Sequence, residues 1–156
     1  MKQIAVVILN WNGAALLERF LPTVLKNSGE MAHIYVADNG STDSSIALLK
    51  ERFSQVTIIE MTTNNGFAGG YNLALKQINE PLFCLLNSDV SPAENWLVPI
   101  LAAFNSDSQL AIAQPKILDE LKKTHFEYAG AAGGYLDALG YPFCRGRIFQ
   151  HIEQDL

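Results

Sequence analysis

The sequence predicts an α/β protein in which a mostly parallel sheet is flanked by helices. Apolar runs typical of strands alternate with helical segments from the first residues onward, which is the pattern of βαβ units. Polar residues follow each of the first four predicted strands, at the sheet edge where open α/β sheets bind ligands. A chain of 156 residues is long enough for one such domain with a substantial core.

Five apolar runs are predicted to be strands. They are Ile4 to Leu9, His33 to Ala37, Val56 to Glu60, Leu82 to Leu86 and Leu110 to Ala113. The fourth run is continuously hydrophobic, so we expect a buried, central strand that ends just before Asp89.

Four helices are predicted to connect and follow these strands. Apolar residues at three- and four-residue spacing define the first helix, and Pro22 is expected to kink it. The second spans about Ser44 to Phe53, the third follows Gly69-Gly70, and the fourth spans Ala93 to Phe104. After about Pro115 small residues and turns predominate, so the C-terminal third is expected to be irregular or partly mobile.

Composition argues against several classes of protein. The net charge is −5 and no dense basic cluster occurs, so nucleic acid is not an expected partner. No apolar stretch approaches the roughly 18 residues of a membrane span, and the N-terminus does not resemble a signal peptide, so the cytoplasm is the expected compartment. Cys84 and Cys144 are far apart, and Cys84 is expected to be a small core residue.

The candidate site consists of the polar segments that follow the first four strands. They are Asn10 to Gly13, Asp38 to Asp43, Asn64 to Asn72, and Asn87 to Asp89. An aspartate such as Asp38 can accept a hydrogen bond from a ribose hydroxyl or a base N–H, and glycines allow close approach of the backbone. A carboxylate such as Asp89 can bind a hard divalent cation whose other ligands are phosphate oxygens. Each segment taken alone is equally typical of a turn or a helix cap, and their coincidence on one edge favours a binding site.

Other nucleotide-binding motifs do not match. A dinucleotide fold requires a Gly-x-Gly-x-x-Gly turn after the first strand, where this chain has only Gly13. No Gly-Lys-Ser/Thr of a P-loop occurs. A pyrophosphorylase would need a basic, glycine-rich loop after the first strand, and the segment that follows Asn12 contains no lysine or arginine up to Leu17.

Four segments together resemble the family 2 glycosyltransferases, and within them the bacterial rhamnosyltransferase-like members. They are Val7 to Asn12, Val36 to Asp43, Asn65 to Asn72, and Leu85 to Val90. The resemblance covers residues 3 to about 118. It divides the chain into a nucleotide-sugar-binding core, residues 1–118, and the incomplete start of an acceptor-side region, residues 119–156.

The resemblance implies a GT-A fold and inverting transfer of a sugar from a nucleoside-diphosphate donor. It implies that several residues line the donor site: Asn10 and Asn12 at the base and ribose, Asp38 on the pyrimidine, Asn65 and Gly66 near the nucleotide, and Ser88 near the ribose. Asp89 would ligate a divalent metal, Mn²⁺ or Mg²⁺, on the diphosphate. The family's metal motif usually begins with aspartate, where this chain has Asn87.

The resemblance also indicates the substrates in outline. The donor would carry UDP or dTDP, with dTDP-rhamnose and UDP-hexoses as examples, and the acceptor would be a cell-surface polysaccharide or a lipid-linked sugar, with peripheral association at the inner face of the membrane. The catalytic base is expected beyond Leu156. The late carboxylates, none of them in a matching motif, are Glu127, Asp137, Glu153 and Asp155.

Three alternatives stay open at the level of the sequence. The first is a non-catalytic nucleotide-sugar-binding or interaction module with the same fold. The second is a nucleotidyltransferase, which would release pyrophosphate from a nucleoside triphosphate. In the third, every polar cluster is merely a cap or a turn.

Overall fold

A computed structural model describes residues 2–128, 132–148 and 150–155. The chain forms two compact units, Met1–Leu101 and Ala102–Leu156. These structural units differ from the division into residues 1–118 and 119–156 that the resemblance implies. That division concerns function, and it stays a prediction.

The first unit contains a four-stranded parallel sheet in the order β3-β2-β1-β4. The strands are β1 (Ile4–Asn10), β2 (Ala32–Asn39), β3 (Thr57–Met61) and β4 (Leu82–Leu86). The helices are α1 (Ala14–Ser28), α2 (Ser45–Arg52), α3 (Gly66–Leu75) and α4 (Leu97–Ser106), and α4 continues across the division between the units. The predicted mostly parallel sheet with flanking helices is confirmed.

Each face of the sheet buries its own apolar cluster, because successive side chains of a strand point to opposite faces. Val6 and Ile8 of β1 pack with residues of α1 and α2 on one face, whereas Ala5 and Val7 pack with α3 on the other. Tyr71 of α3 also donates a hydrogen bond from its hydroxyl to the carbonyl of Leu86, at 3.2 Å. These contacts hold α3 over the sheet near the carboxyl ends of its strands.

The prediction that β4 is a central strand is wrong for the described part of the chain, where β4 pairs only with β1 and forms an edge. Leu86 and the half-buried Cys84 belong to the cluster under α1, but Phe83 and Leu85 are 45% and 52% exposed. A continuous hydrophobic run does not reveal how many of its faces are covered. Burial raises the pKa of the Cys84 thiol to about 11, as befits a cysteine packed against the core.

The predicted strand from Leu110 to Ala113 is also wrong, since this segment belongs to no described sheet. Ile112 is 84% exposed. An apolar run becomes a strand only where a partner strand completes its hydrogen bonds, and two of its four residues are alanines, which have little preference for strands.

Two helix starts differ from prediction for local reasons. Helix α3 begins at Gly66, so Gly69 and Gly70 lie inside it and not before it. A Cβ at Gly70 would lie 2.8 Å from Leu9 Cδ1, so the close approach of α3 to the sheet accounts for glycine there. Helix α4 begins at Leu97 and not at Ala93, because Asn95 has φ +58°, which is not helical.

The second unit contains two short antiparallel hairpins where an irregular segment was expected. Strand β5 (Gly134–Leu136) pairs with β6 (Pro142–Cys144), and β7 (Arg147–Ile148) pairs with β8 (His151–Ile152). A turn at Arg145-Gly146 connects the hairpins, with Gly146 at φ +86°. Residues 129–131, which belong to the C-terminal third expected to be rich in small residues, lie outside the described residues. No helix in the described part of the chain is long and apolar enough to cross a membrane.

Candidate functional site

The carboxyl edge of the parallel sheet brings the predicted polar segments to one side of the first unit. Because β1 and β2 are adjacent and parallel, their carboxyl ends lie side by side, and Asn10 is the register partner of Asp38. Both strands extend further than predicted, so Asn10, Asp38 and Asn39 belong to the strands themselves and not to the loops after them.

Asn10 and Asp38 form a buried polar pair, 1% and 2% exposed. The Asn10 side-chain amide donates to Asp38 Oδ2 at 2.8 Å and to Ser41 Oγ at 3.2 Å, and the Ser41 backbone N–H donates to Asp38 Oδ1 at 2.8 Å. Both carboxylate oxygens of Asp38 therefore accept bonds from the protein. Each oxygen retains a second lone pair with which it can accept another hydrogen bond.

Asn12 organises the loop that follows β2. It has φ +50°, and its side-chain oxygen accepts from the backbone N–H groups of Thr42 at 2.7 Å and Asp43 at 3.3 Å. Its own N–H donates to Ser41 Oγ at 2.9 Å. The loops after β1 and β2 are thus held as one structure, with Asn12 on its exposed side.

Asp43 caps two helices at once. One carboxylate oxygen accepts from the backbone N–H of Ala14 in α1 at 3.1 Å, and the other accepts from that of Ser45 in α2 at 3.0 Å. Partial burial by itself would raise the pKa of Asp43, but the hydrogen bonds from Ser45 and Ala14 outweigh it and hold this pKa below its ordinary value of 3.8. Asp43 is therefore the anion that the two helix N-termini share.

Asn39 connects β2 to the loop between β3 and α3. Its side-chain oxygen accepts from the Asn65 backbone N–H at 2.9 Å, and its amide nitrogen donates to Asn64 Oδ1 and to the Gly66 carbonyl, both at 3.0 Å. The predicted site residues Asn65 and Gly66 are consequently attached to the strand that carries Asp38.

The segment after β4 differs from the others because its side chains are unengaged. Asn87 and Asp89 are exposed and Ser88 is half-buried, and none of the three side chains makes a hydrogen bond or ion pair with another described residue. The structure thus brings Asn10, Asn12 and Asp38 into one network and joins Asn65 and Gly66 to it through Asn39, whereas Ser88 and Asp89 are not part of that network.

The donor set available for a metal is small. No group of three or more histidine, cysteine, aspartate or glutamate side chains is assembled within the described ranges. Asp89 nevertheless offers a free carboxylate, with the Asn87 amide two residues before it. That set suits a cation such as Mg²⁺, which takes one or two protein carboxylates and completes its shell with phosphate oxygens and water.

Sequence reasoning did not single out Asn39, Ser41 or Trp11. Trp11 follows β1 and its side chain is 58% exposed, so it presents an aromatic surface at the same edge. The available signal was its place between two asparagines just past a strand. No comparable signal marks Asn39 and Ser41, because all their side-chain partners except the neighbouring Asp38 lie 25 to 31 residues away.

The late carboxylates lie in the second unit, and the contacts of Asp137 and Asp155 are structural. Asp137 accepts from the backbone N–H groups of Leu139 and Tyr141, each at 2.9 Å, within the turn between β5 and β6. Asp155 forms an ion pair with Lys116. These contacts engage Oδ1 of Asp137 and Oδ2 of Asp155.

Comparison with known proteins shows which family the chain matches. The family model described as Glycosyl transferase family 2 matches residues 5–135. A teichoic acid poly(glycerol phosphate) polymerase of Staphylococcus epidermidis is 22% identical over 142 residues, which cover 84% of this chain. The chain spans only 20% of that protein's length.

Solved structures share the fold. S. aureus TarS 1-349 matches with a TM-score of 0.60 and 18% identity, over 76% of this chain and 40% of that one, and its complex with UDP-GlcNAc gives the same TM-score. A mannosyltransferase from Pyrobaculum calidifontis, in complex with GDP-Man and Mn²⁺, matches with a TM-score of 0.55 and 23% identity, over 61% of this chain and 32% of that one. The fold of the chain is GT-A-like.

Proposed function

Because the chain belongs to glycosyl transferase family 2, we propose that its carboxyl edge binds a nucleoside-diphosphate-sugar and that the protein transfers the sugar to a saccharide or lipid-linked acceptor in cell-surface glycan synthesis. One observation carries the proposal. The exposed, unengaged carboxylate of Asp89 lies at the edge where Asn10, Asp38 and Asn39 hold the preceding loops in a fixed arrangement. A donor diphosphate needs a cation, and the remainder of the donor needs ordered polar groups.

The residues of the ordered network would contact the nucleoside. Asp38 would accept from the pyrimidine N–H through an unused lone pair, with Asn10 and Asn12 lining the base and ribose. Asn65 and Gly66 would lie beside the nucleotide, and Ser88 would approach the ribose. Every one of these groups is a side chain or backbone group at the carboxyl edge of β1 to β4 or in the loop that follows.

Asp89 would hold the divalent metal, Mn²⁺ or Mg²⁺. When bound, such an ion neutralises the charge that develops on the departing nucleoside diphosphate. The mannosyltransferase of similar fold was solved with Mn²⁺, which supports this choice. Since Asn87 is neutral, a single carboxylate of this segment would carry the interaction.

We propose UDP or dTDP as the nucleotide and an inverting transfer, with rhamnose or a hexose as the sugar. The UDP-GlcNAc complex of TarS supports a uridine donor, whereas the GDP-Man complex makes GDP the comparison that a test must include. The polymerase relative supports a cell-surface acceptor, and action in the cytoplasm at the inner face of the membrane is part of the same proposal. A non-catalytic module that binds the same donor is the alternative, favoured if binding is found without transfer to any acceptor.

Calorimetric titration of the chain with UDP, dTDP and GDP, each with Mn²⁺ and with EDTA, tests the proposal. We expect UDP or dTDP to bind with Mn²⁺, and EDTA to weaken that binding. The Asp89→Asn variant should bind at least about tenfold more weakly in Mn²⁺, because an amide cannot replace the charge of a carboxylate ligand.

The matched control is Glu51→Gln, which also removes one exposed charge but lies on α2. It should bind like the wild type. Equal affinity of Asp89→Asn and wild type in Mn²⁺ would remove Asp89 from the metal site, and absence of any nucleotide binding by the folded wild type would contradict the proposed donor site.

A further inference from the structure

The side chain of Asn39 is buried, 2% exposed, between the end of β2 and the loop that leads into α3. It makes three hydrogen bonds of 2.9 to 3.0 Å, to Asn64, Asn65 and Gly66. Two of these residues, Asn65 and Gly66, are the ones proposed to lie beside the nucleotide. Asn39 itself reaches the site only through them.

We propose that Asn39 is a positioning residue of the donor site, whose side-chain amide fixes the Asn64–Gly66 loop in the conformation that binds the nucleotide. The inference rests on the proposed function and deepens it. In this proposal, the buried Asn39 side chain holds the loop after β3 in a fixed position relative to Asp38 on β2.

The bonding pattern can be met only by an amide. The Asn65 backbone N–H is a donor and requires an acceptor on one side of Asn39, whereas the Gly66 carbonyl is an acceptor and requires a donor on the other. An aspartate would place a second oxygen against the Gly66 carbonyl and Asn64 Oδ1. An apolar side chain would remove the acceptor of the Asn65 N–H and the donor to the Gly66 carbonyl, and Asn64 Oδ1 would keep only its bond from the Gly66 N–H.

The loop depends on this amide for its local order. Asn64 Oδ1 accepts from Asn39 and also from the Gly66 N–H at 2.8 Å, so the amide of Asn39 and the start of α3 share one acceptor. Gly66 has φ +70°, a conformation that an unsupported loop would leave readily.

Packing keeps the loop close to Asn39. A Cβ at Gly70 would lie 3.0 Å from Asn39 Nδ2, and one at Gly40 would lie 2.7 to 2.9 Å from the backbone of Thr63 and Asn64. Glycines at both positions therefore allow the chain segments to approach within hydrogen-bonding distance. The loop is held on two sides by β2 and by α3.

The test measures nucleotide affinity in Mn²⁺ for Asn39→Ala, Asn39→Asp and Asn64→Ala. We expect Asn39→Ala and Asn39→Asp to bind UDP or dTDP about tenfold more weakly, and Asn64→Ala to weaken binding less. Asn64 is exposed, so this variant keeps its fold if Asn39→Ala does not.

The control is Ser28→Ala in the last turn of α1, where the buried Ser28 side chain accepts a hydrogen bond from Trp96 Nε1 at 3.0 Å. It should lose stability but retain wild-type nucleotide affinity. A merely structural role for Asn39 would give the same result, with reduced stability and unchanged affinity, and that result would overturn the proposal.

Two further readouts show whether Asn39 acts through the loop. Hydrogen exchange at the Asn65 backbone N–H should be faster in Asn39→Ala than in wild type, while Asn39→Asp, which keeps the acceptor for that group, should stay closer to wild type. In the double variant Asn39→Ala with Asn65→Ala, the loss of binding free energy should be smaller than the sum of the losses in the two single variants. Wild type that binds no nucleotide refutes the proposed function; wild type that binds, with both Asn39 variants equal to it, refutes only this inference.

Discussion

At the scale of single residues, the carboxyl edge is built from polar side chains at positions that a strand would otherwise fill with apolar ones. Asp38 and Asn39 are neighbours in β2, so they point to opposite faces of the sheet. Asp38 bonds to Asn10 and Ser41 on one side, and Asn39 bonds to the loop before α3 on the other. Two consecutive residues thus connect β1 with the loops after β2 and β3.

Gly40 lies so close to the backbone of the loop after β3 that a side chain at this position would clash with it. Gly40 and Gly66 both have positive φ, +75° and +70°, but only Gly40 faces backbone atoms within 3 Å of a would-be Cβ. We expect Gly66→Ala to lower the free energy of unfolding by about 1–2 kcal/mol through backbone strain alone, and Gly40→Ala to lower it by roughly 2–5 kcal/mol. Urea unfolding at neutral pH measures both, and equal losses would mean that the loop after β3 moves aside.

At the scale of elements, the N-termini of α1 and α2 depend on a residue outside both helices. The residues that precede them, Gly13 and Ser44, make no side-chain capping bond, and neither helix has an acidic residue in its first turn. Asp43 serves both instead. The helices on this face of the sheet are therefore coupled at the edge that carries the candidate site.

Replacement of Asp43 by alanine should destabilise the protein by about 1–2 kcal/mol at pH 7, as expected for the loss of helix caps. Because the folded-state pKa lies below the ordinary value of 3.8, the stabilisation is present above that value and is lost as the pH falls through the folded pKa. Urea unfolding at pH 7 and near pH 2.5 should show the gap between wild type and variant shrinking in acid. A gap of constant size would mean that the charge of Asp43 contributes nothing.

At the scale of the molecule, the two edges of the sheet differ in kind. The carboxyl edge carries amides, carboxylates and an exposed tryptophan, whereas at the amino edge Glu80, just before β4, bonds to His33 at the start of β2 and to Tyr35. Burial by itself would raise the pKa of Glu80, but the hydrogen bonds from His33 and Tyr35 and the charge of His33 lower it below 4.5. Glu80 joins the segment before β4 to β2, which is not a neighbour of β4 in the sheet.

Glu80 should therefore contribute to the acid dependence of stability. With its pKa lowered in the folded state, its contribution is present above 4.5 and is lost as the pH falls through the folded pKa. Glu80→Gln should be less stable than wild type at pH 7, and the two unfolding curves should converge between about pH 4.5 and pH 2.5. A pH-independent difference between Glu80→Gln and wild type would contradict the assignment.

The sequence by itself determined the strands of the parallel sheet and the edge at which the polar segments gather. Hydrophobic periodicity is a local property, and parallel strands joined by crossover helices must end at one edge, so Asn10, Asp38 and Asn65 could be assigned to a common side before any coordinates were known. The four motifs likewise sufficed to indicate the family.

Only the tertiary structure decided that β4 is an outer strand of the sheet and that Leu110 to Ala113 pairs with no described strand. It also decided what Asn39 and Asp43 contact. These outcomes depend on hydrogen bonds and packing between residues that are distant along the chain: Asn39 and Gly66 are 27 positions apart, and Ala14 and Asp43 are 29 apart. Local sequence patterns do not indicate such pairs, because an asparagine or aspartate at any position after a strand is also typical of a turn or a helix cap. Its role is set by the donors and acceptors that the fold brings to it.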